Sequence, residues 1–190
     1  MSENETLSQR KKVLPQQTQE MYMKDYISPL GKIIMASDGD ALTGLWFEGQ
    51  KYFSLFPRAE IPFSGLSVFD KTARWLDVYF SGKAPDFTPT LRPSGTDFRL
   101  LVWEILLTIP YGKTMTYGEI ADRIARQKGL KRMSAQAVGG AVGHNPVSII
   151  IPCHRVIGAN GSLTGYAGGI ERKRKLLAME GALSQFKLSC

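Results

Sequence analysis

The chain has 190 residues, of which 43% are hydrophobic, a composition that suits one or two small domains with real cores and excludes a disordered chain. It has no run of about 18 apolar residues that could span a membrane, no apolar stretch of a secretory signal near its start, and only two cysteines, too few for a disulfide framework. We therefore expect a reduced, cytoplasmic protein.

The net charge of +7 is distributed unevenly along the chain. Residues 1–90 carry 10 Lys and Arg against 11 Asp and Glu, whereas residues 91–190 carry 14 against 6. The basic half is therefore the one expected to meet a polyanion such as nucleic acid. An ordinary solvated basic surface explains the charge equally well, so charge alone does not establish this function.

The first half of the chain begins with a polar segment, residues 1–20, which predicts a loose tail. A hairpin is predicted next, with strands at residues 26–27 and 33–35 joined by a turn at residues 28–31. A third strand is predicted at residues 42–47. These strands indicate a small antiparallel sheet.

Apolar side chains at helical spacing predict a helix over residues 67–80. They are Phe69, Ala73, Leu76 and Phe80. Three prolines predict a linker over residues 83–93. A sheet with one helix is enough for an α/β domain, which we assign to residues 21–88. Residues 89–182 are then a second domain, and residues 183–190 a terminal tail.

Three capped helices are predicted in the second half. Thr96 can cap an amphipathic helix, residues 116–119 have capping-box spacing before a helix over residues 117–126, and Ser134 can cap a helix over residues 135–142. Two short helices joined by a turn are compatible with a helix-turn-helix, in which the second helix contacts DNA.

The helix over residues 135–142 consists mostly of small residues and contains two adjacent glycines, Gly139 and Gly140. Each glycine weakens a helix by about 1 kcal/mol relative to alanine, so the pair needs a reason. Close approach to another helix and close approach to a DNA backbone are both available reasons.

A short apolar run, residues 147–151, predicts a buried strand that ends just before Cys153 and His154. A cysteine beside a histidine is a candidate nucleophile, because a neighbouring base increases the thiolate fraction. Neighbouring strand residues point to opposite faces, so contact between the two requires a turn at Cys153 or a bridging water. A small buried cysteine is the ordinary alternative. Two Cys and two His without ligand spacing predict no metal site.

Longer motifs around Cys153 resemble a known family. They are QAVGGAVGHNP from Gln136, IIIPCHRV around Cys153, GYAGG from Gly165 and LLAMEG from Leu176. Together they closely resemble the O6-alkylguanine-DNA alkyltransferases, over about residues 28–181. The resemblance implies a ribonuclease-H-like α/β N-terminal domain and a mainly helical, winged-helix-like DNA-binding C-terminal domain that carries the thiol.

The resemblance also implies catalytic roles. Cys153 matches the thiol that accepts the alkyl group, His154 the base that acts on it through a bound water, and Glu180 the carboxylate that orients this histidine. Tyr117 matches the tyrosine that donates to guanine N3, so that guanine does not depart as an unassisted anion. No cofactor is implied, and no metal, because the N-terminal Cys and His that bind zinc in eukaryotic members are absent.

Other positions match residues that bind DNA and the flipped base. Asn145 matches a hinge asparagine that ties the turn before the active-site strand to that strand, and Tyr166 and Ala167 match a loop that closes over the base. The family inserts its second helix into the minor groove of double-stranded DNA to rotate the base out. The expected contacts on that helix are Ser134, Ala135, Gln136, Ala137 and Gly140.

Two positions depart from the family pattern. Gln136 stands where members usually have an arginine that fills the vacated stack, and glutamine lacks its charge and its broad plane. Ala167 stands where some members have a hydroxyl residue, which leaves its backbone N–H as the donor to guanine O6. The first departure concerns how the extrahelical base is held, the second how O6 is contacted.

The predicted function is DNA repair by stoichiometric, irreversible transfer of the alkyl group from O6-alkylguanine to Cys153, by a monomer acting on chromosomal DNA. The alternative is a non-catalytic sensor of alkylated bases, which the presence of Cys153 disfavours. A transcription regulator is disfavoured because no cysteine-rich activator domain precedes Tyr22, and nothing specific supports a cysteine hydrolase.

Overall fold

A computed structural model describes residues 21–53, 61–62 and 65–185. The tail predicted at residues 1–20 lies outside these ranges, as do residues 186–190, including Cys190. Residues 183–185 belong to a 3₁₀ helix, Ala182–Gln185, rather than to a tail. Across the described ranges, no helix combines the length and apolar character needed to cross a bilayer.

The N-terminal half is a small sheet with one helix against it. Its elements are β1 (Tyr22–Ser28), β2 (Gly31–Ser37), β3 (Leu42–Phe47), β4 (Ile61–Pro62) and α1 (Ser67–Phe80). The strand order is β3-β2-β1-β4, antiparallel except for the β1–β4 pair. The predicted hairpin, third strand and helix are confirmed, and the two hairpin strands are longer than predicted. Residues Ala73 and Phe80 are half-buried, because α1 turns Trp75 and Tyr79 toward the core as well.

The C-terminal half is mainly helical. Its elements are α2 (Asp97–Leu107), β5 (Met115–Thr116), α3 (Tyr117–Gln127), α4 (Ala135–Gly143), β6 (Val156–Ile157) and α5 (Ile170–Met179). The caps at Thr96, Thr116 and Ser134 are confirmed, and Thr116 and Glu119 form the reciprocal capping box. The short strands β5 and β6, which the sequence did not predict, pair in parallel. The predicted fold class, an α/β N-terminal domain and a mainly helical C-terminal domain, is confirmed.

The strand predicted at residues 147–151 is wrong: this segment is buried, but it is a compact turn. Ile151 N donates to Val147 O at 3.1 Å, and Ile149 has a φ of 70°, in the left-handed region. The Asn145 side chain binds the backbone of both Val147 and Ile151, which gives the turn hydrogen bonds that a strand would take from a neighbour. A five-residue apolar run does not distinguish these two buried conformations.

The two halves pack around one core, and the same turn joins them. Leu45 of β3 accepts from Ser148 N at 2.8 Å and donates its own N–H to Pro146 O at 2.8 Å. The Ser148 hydroxyl also donates to Gln50 Oε1 at 2.9 Å. The segment before Cys153 is therefore fixed against the N-terminal sheet. The predicted linker, residues 83–93, is irregular, and its Leu91 pairs with Leu42.

Candidate active site

Cys153 lies in a short 3₁₀ turn, Cys153–Arg155, that follows the buried segment. Its side chain is 4% exposed, and its sulfur accepts a hydrogen bond from Asn145 Nδ2 at 3.1 Å. Burial raises the pKa of the thiol, and the Asn145 amide, the Lys173 ammonium and two backbone N–H groups offset this only in part. The thiol is therefore protonated at rest and needs a base.

His154 is fully buried directly after this cysteine. Its Nε2 lies 2.7 Å from Glu180 Oε1, which fixes Nε2 as the protonated nitrogen because a carboxylate only accepts. Its Nδ1 has no hydrogen-bond partner among the described residues. Burial holds the pKa of His154 below its ordinary value, although Glu180 opposes this. The imidazole is thus neutral, with a free acceptor at Nδ1.

Glu180 caps the end of α5 and is the centre of a buried network. Arg155 donates to it twice, from Nε to Oε2 at 2.9 Å and from Nη2 to Oε1 at 3.0 Å, and Gly112 N donates to Oε2 at 3.1 Å. Burial raises the pKa of this carboxyl, but the hydrogen bonds and charges of His154 and Arg155 outweigh it and lower the pKa to about 2. Glu180 is therefore an anion at neutral pH.

The sequence did not identify three buried residues of this site. Arg155 stands inside the PCHRV motif and could have been inferred from it; Tyr79 donates to Glu180 from α1, 101 residues away, without any local signal. Lys173 is fully buried on α5 and its Nζ donates to Val156 O at 2.6 Å and Thr164 O at 3.0 Å. A lysine among the apolar positions of a helix is the signal that could have revealed it.

Asn145 organises the approach to the cysteine. Its Nδ2 donates to Ile151 O at 2.7 Å as well as to the Cys153 sulfur, and its Oδ1 accepts from Val147 N at 3.0 Å. The predicted tie between turn and active-site segment is thus present in the geometry, and it extends to the sulfur itself.

A cavity of about 690 Å³ opens between the start of α3, helix α4 and the loop that contains Tyr166. Its lining includes Tyr117 from the start of α3, Gln136 from α4, and the loop residues Tyr166 and Ala167. The Tyr117 hydroxyl donates to Thr164 O at 3.1 Å, and burial raises its pKa, so it remains a proton donor. Both tyrosines lie close enough to Cys153 for its charge to raise their pKa further. The Tyr166 hydroxyl is buried beside Ser148 without hydrogen-bond geometry.

The helix α4 presents its small residues to solvent. Exposed positions are Ser134, Ala135, Gln136, Ala137 and Gly140. A Cβ added at Gly140 would meet no described atom within 4 Å, so packing inside the protein does not require this glycine. An added Cβ at Gly139 would make only ordinary contact with the Tyr117 ring, at 3.8 Å. Close approach of another molecule to the exposed side of α4 therefore explains the paired glycines better than packing inside the protein does.

The structure thus brings the sequence-predicted residues into two neighbouring groups. One is buried and contains Cys153, His154, Glu180 and Asn145; the other lines or borders the cavity and contains Tyr117, Tyr166, Ala167 and the α4 residues. No hydrogen bond joins the sulfur to Nδ1 of His154, which has no partner among the described residues. Within the described ranges, no group of three or more His, Cys, Asp or Glu could hold a metal ion.

Family models match both halves of the chain. The ribonuclease-like domain of 6-O-methylguanine DNA methyltransferase matches residues 21–93, and the DNA binding domain of the same protein matches residues 97–182.

Individual relatives match over most of their length. A methylated-DNA–protein-cysteine methyltransferase of Mycobacterium tuberculosis is 47% identical over 153 residues, which are 80% of this chain and 88% of the relative. A methylated-DNA–protein-cysteine methyltransferase of Methanosarcina acetivorans is 43% identical over 166 residues, which are 85% of this chain and 99% of the relative. The crystal structure of Mycobacterium tuberculosis OGT in complex with DNA superposes with a TM-score of 0.74, at 45% identity, covering 85% of this chain and 93% of that one.

Proposed function

Because this chain belongs to the 6-O-methylguanine DNA methyltransferase family, we propose that it repairs DNA by transferring an alkyl group from guanine O6 to the thiol of Cys153. The observation that carries this assignment is the position of the thiol. Cys153 is buried, hydrogen-bonded by Asn145 and followed in the chain by a neutral imidazole backed by a carboxylate. Two tyrosines that line an open cavity, Tyr117 and Tyr166, lie close to it. A structural cysteine needs none of these neighbours.

The first step removes the thiol proton. The unpartnered Nδ1 of His154 accepts it through one bridging water, while Glu180 stabilises the imidazolium that forms. The thiolate then attacks the alkyl carbon in line with the carbon–O6 bond. A carbon–sulfur bond forms, the carbon–O6 bond breaks, and its electron pair stays on guanine.

The departing guanine requires a proton, and we assign its delivery to N3 to Tyr117. Its hydroxyl lies on the cavity wall, and burial keeps it protonated. The proton that leaves Cys153 restores the one that Tyr117 gives, and exchange with water moves the added proton of guanine from N3 to N1. The products are then S-alkylcysteine and unmodified guanine, with no net gain or loss of protons. Ala167 contributes its backbone N–H toward O6, since it has no hydroxyl.

The proposed DNA surface is the exposed face of α4, which enters the minor groove while the alkylated base is rotated into the cavity. Alanines and Gly140 allow the groove walls to approach closely. The exposed cations Lys128, Lys131 and Arg132 stand just before α4 and can contact phosphates. Rotating a base out of a duplex costs a few kcal/mol, which these contacts offset.

The product is a thioether, which offers water no good leaving group, so one protein molecule repairs one lesion without a cofactor. We propose that the protein acts as a cytoplasmic monomer on chromosomal DNA. We propose domain bounds of 21–88 and 89–182. With these bounds, every residue to which we assign a role in the thiol chemistry belongs to the second domain, and Tyr79 contacts it from the first.

The test separates transfer from mere recognition. The protein is mixed with duplex DNA containing O6-methylguanine, and its intact mass is compared with that of a Cys153→Ser variant. Transfer predicts the mass of one methyl group on the parent protein and none on the variant, with both still binding the duplex. A parent protein that binds the alkylated duplex without gaining mass would instead be a sensor of alkylated bases.

A further inference from the structure

A tyrosine from the N-terminal half is part of the buried network of the C-terminal half. Tyr79, on the last turn of α1, is fully buried, and its hydroxyl donates to Glu180 Oε1 at 2.6 Å. The same hydroxyl oxygen lies 3.3 Å from His154 Nε2, which in turn lies 2.7 Å from Oε1. One carboxylate oxygen therefore accepts from both the tyrosine and the histidine.

Packing fixes the Tyr79 ring in this position. It stacks on Trp75 with centroids 5.3 Å apart and an interplanar angle of 9°, and Tyr111 and His154 meet it edge-on at 6.0 and 6.3 Å. Burial and the negative charge of Glu180 raise the pKa of Tyr79 well above its ordinary value, so the hydroxyl remains a neutral donor wherever the protein is folded. It is a permanent member of the network.

We propose that Tyr79 is a positioning residue that tunes the basicity of the His154–Glu180 pair, so that the N-terminal half takes part in the transfer reaction. A donor on Oε1 withdraws negative charge from the atom that binds His154 Nε2, which makes Glu180 a weaker partner for an imidazolium. His154 therefore holds a proton less tightly and is available as a neutral base at lower pH. This inference rests on the proposed function.

Other charged and titratable groups face the same pair. They are Arg155 and Lys173, which act on His154, and Tyr111, which lies near Glu180. Tyr166 lies near Tyr79 instead, and Cys153 lies near Lys173. The two cations favour neutral His154, and burial lowers the pKa of Lys173 to about 8, so this lysine stays charged on the acid side of neutrality. Because the state of these groups is constant there, loss of the Tyr79 hydroxyl changes a single donor.

The variant Tyr79→Phe keeps the ring and its stacking on Trp75. Single-turnover transfer from a duplex containing O6-methylguanine is measured across the acid side of neutrality, where His154 controls the rate. In Tyr79→Phe, the midpoint of the acid limb moves upward by about one pH unit, since Glu180 then binds the imidazolium more strongly. Tyr111→Phe is the matched control, because its hydroxyl donates to Met179 O at 3.3 Å and not to the carboxylate, so its midpoint is unchanged.

A second readout does not need the reaction. The ring nitrogens of His154 are titrated by NMR in the DNA-free protein, with His144→Gln used to separate the two histidines, and the same upward shift is expected in Tyr79→Phe. If Tyr79→Phe does not fold, difluorotyrosine at position 79 retains the hydroxyl as a stronger donor and moves both midpoints, that of transfer and that of the NMR titration, downward.

Unchanged midpoints, with a transfer rate lowered equally at every pH, would overturn the role of Tyr79. A parent protein that transfers no methyl would instead overturn the proposed function, while the NMR titration still decides this inference.

Discussion

The side-chain nitrogen of Asn145 lies 3.1 Å from the sulfur of Cys153 and 2.7 Å from the carbonyl oxygen of Ile151. One amide therefore fixes both the turn that precedes the cysteine and the atom that reacts. The same contact stabilises a thiolate relative to a thiol, because a hydrogen bond to the sulfur lowers the pKa that burial has raised.

Replacing this asparagine should affect folding and reactivity together. Asn145→Ala leaves buried backbone groups of the turn without partners, at a cost of about 1–3 kcal/mol in the free energy of unfolding. It also raises the pKa of Cys153, so methyl transfer reaches its maximum at higher pH. Urea unfolding and the pH dependence of transfer measure the two effects. Asn145→Asp, which keeps the acceptor but places a negative charge near the sulfur, should raise the pKa at least as much; equal pH profiles in all three proteins would contradict this role.

Stability should fall on acidification through the buried pair. Both His154 and Glu180 have a folded pKa below the ordinary value, so the unfolded chain binds protons more readily and the folded state becomes less stable as pH falls. The free energy of unfolding begins to decrease near pH 6.5, because of His154, and decreases further between about pH 4.5 and about pH 2, because of Glu180. Glu180 contributes on the order of 3 kcal/mol to this decrease. Urea unfolding at a series of pH values measures it. Glu180→Gln should flatten the lower part of the curve, and a parent protein equally stable at pH 7 and pH 3 would refute the prediction.

The exposed cations before α4 should govern affinity for undamaged duplex. Alanine at Lys128, Lys131 and Arg132 should weaken binding and reduce the slope of log affinity against log salt by about 0.9 for each phosphate that is no longer neutralised. Lys71→Ala, on the exposed side of α1, is the control and should leave the slope unchanged. Fluorescence anisotropy at several salt concentrations provides the measurement. Equal slopes for the triple variant and the control would place the DNA on another surface.

Gln136 offers a gain-of-function test. Gln136→Arg should tighten binding to undamaged duplex, steepen its salt slope by about 0.9, and speed repair in a duplex, where the base must be extruded. Repair in a single strand should barely change, because there is little stacking to disrupt. Rates on both substrates, beside those of Gln136→Ala, distinguish a role in base extrusion from general attraction to DNA. If Gln136→Ala matches the parent protein on both, residue 136 has no part in extrusion.

Local signals in the sequence were enough for most helices and for the reactive motif. Thr96, Thr116 and Ser134 are caps whose partners lie three residues away, and each helix begins where its cap predicts. The strand prediction at residues 147–151 was wrong because apolar content indicates burial and not backbone conformation, which depends here on the Asn145 side chain.

Contacts between distant residues could not be predicted in the same way. Tyr79 shares the buried face of α1 with Leu76, and helical spacing identifies that face, but nothing in it indicates a carboxylate 101 residues later. Arg155 and Lys173 likewise find their partners only after the turn at Cys153 and α5 have packed together. The sequence therefore predicts the reacting residues better than the network that tunes them.

Whether Cys153 receives the alkyl group is measured by peptide mapping with mass spectrometry, after the protein has reacted with an excess of O6-methylguanine duplex. We expect one methyl group per chain, on the peptide that contains Cys153, guanine restored in the DNA, and no further repair when fresh duplex is added. Methyl on Cys190, or continued turnover by protein whose Cys153 remains unmodified, would contradict it.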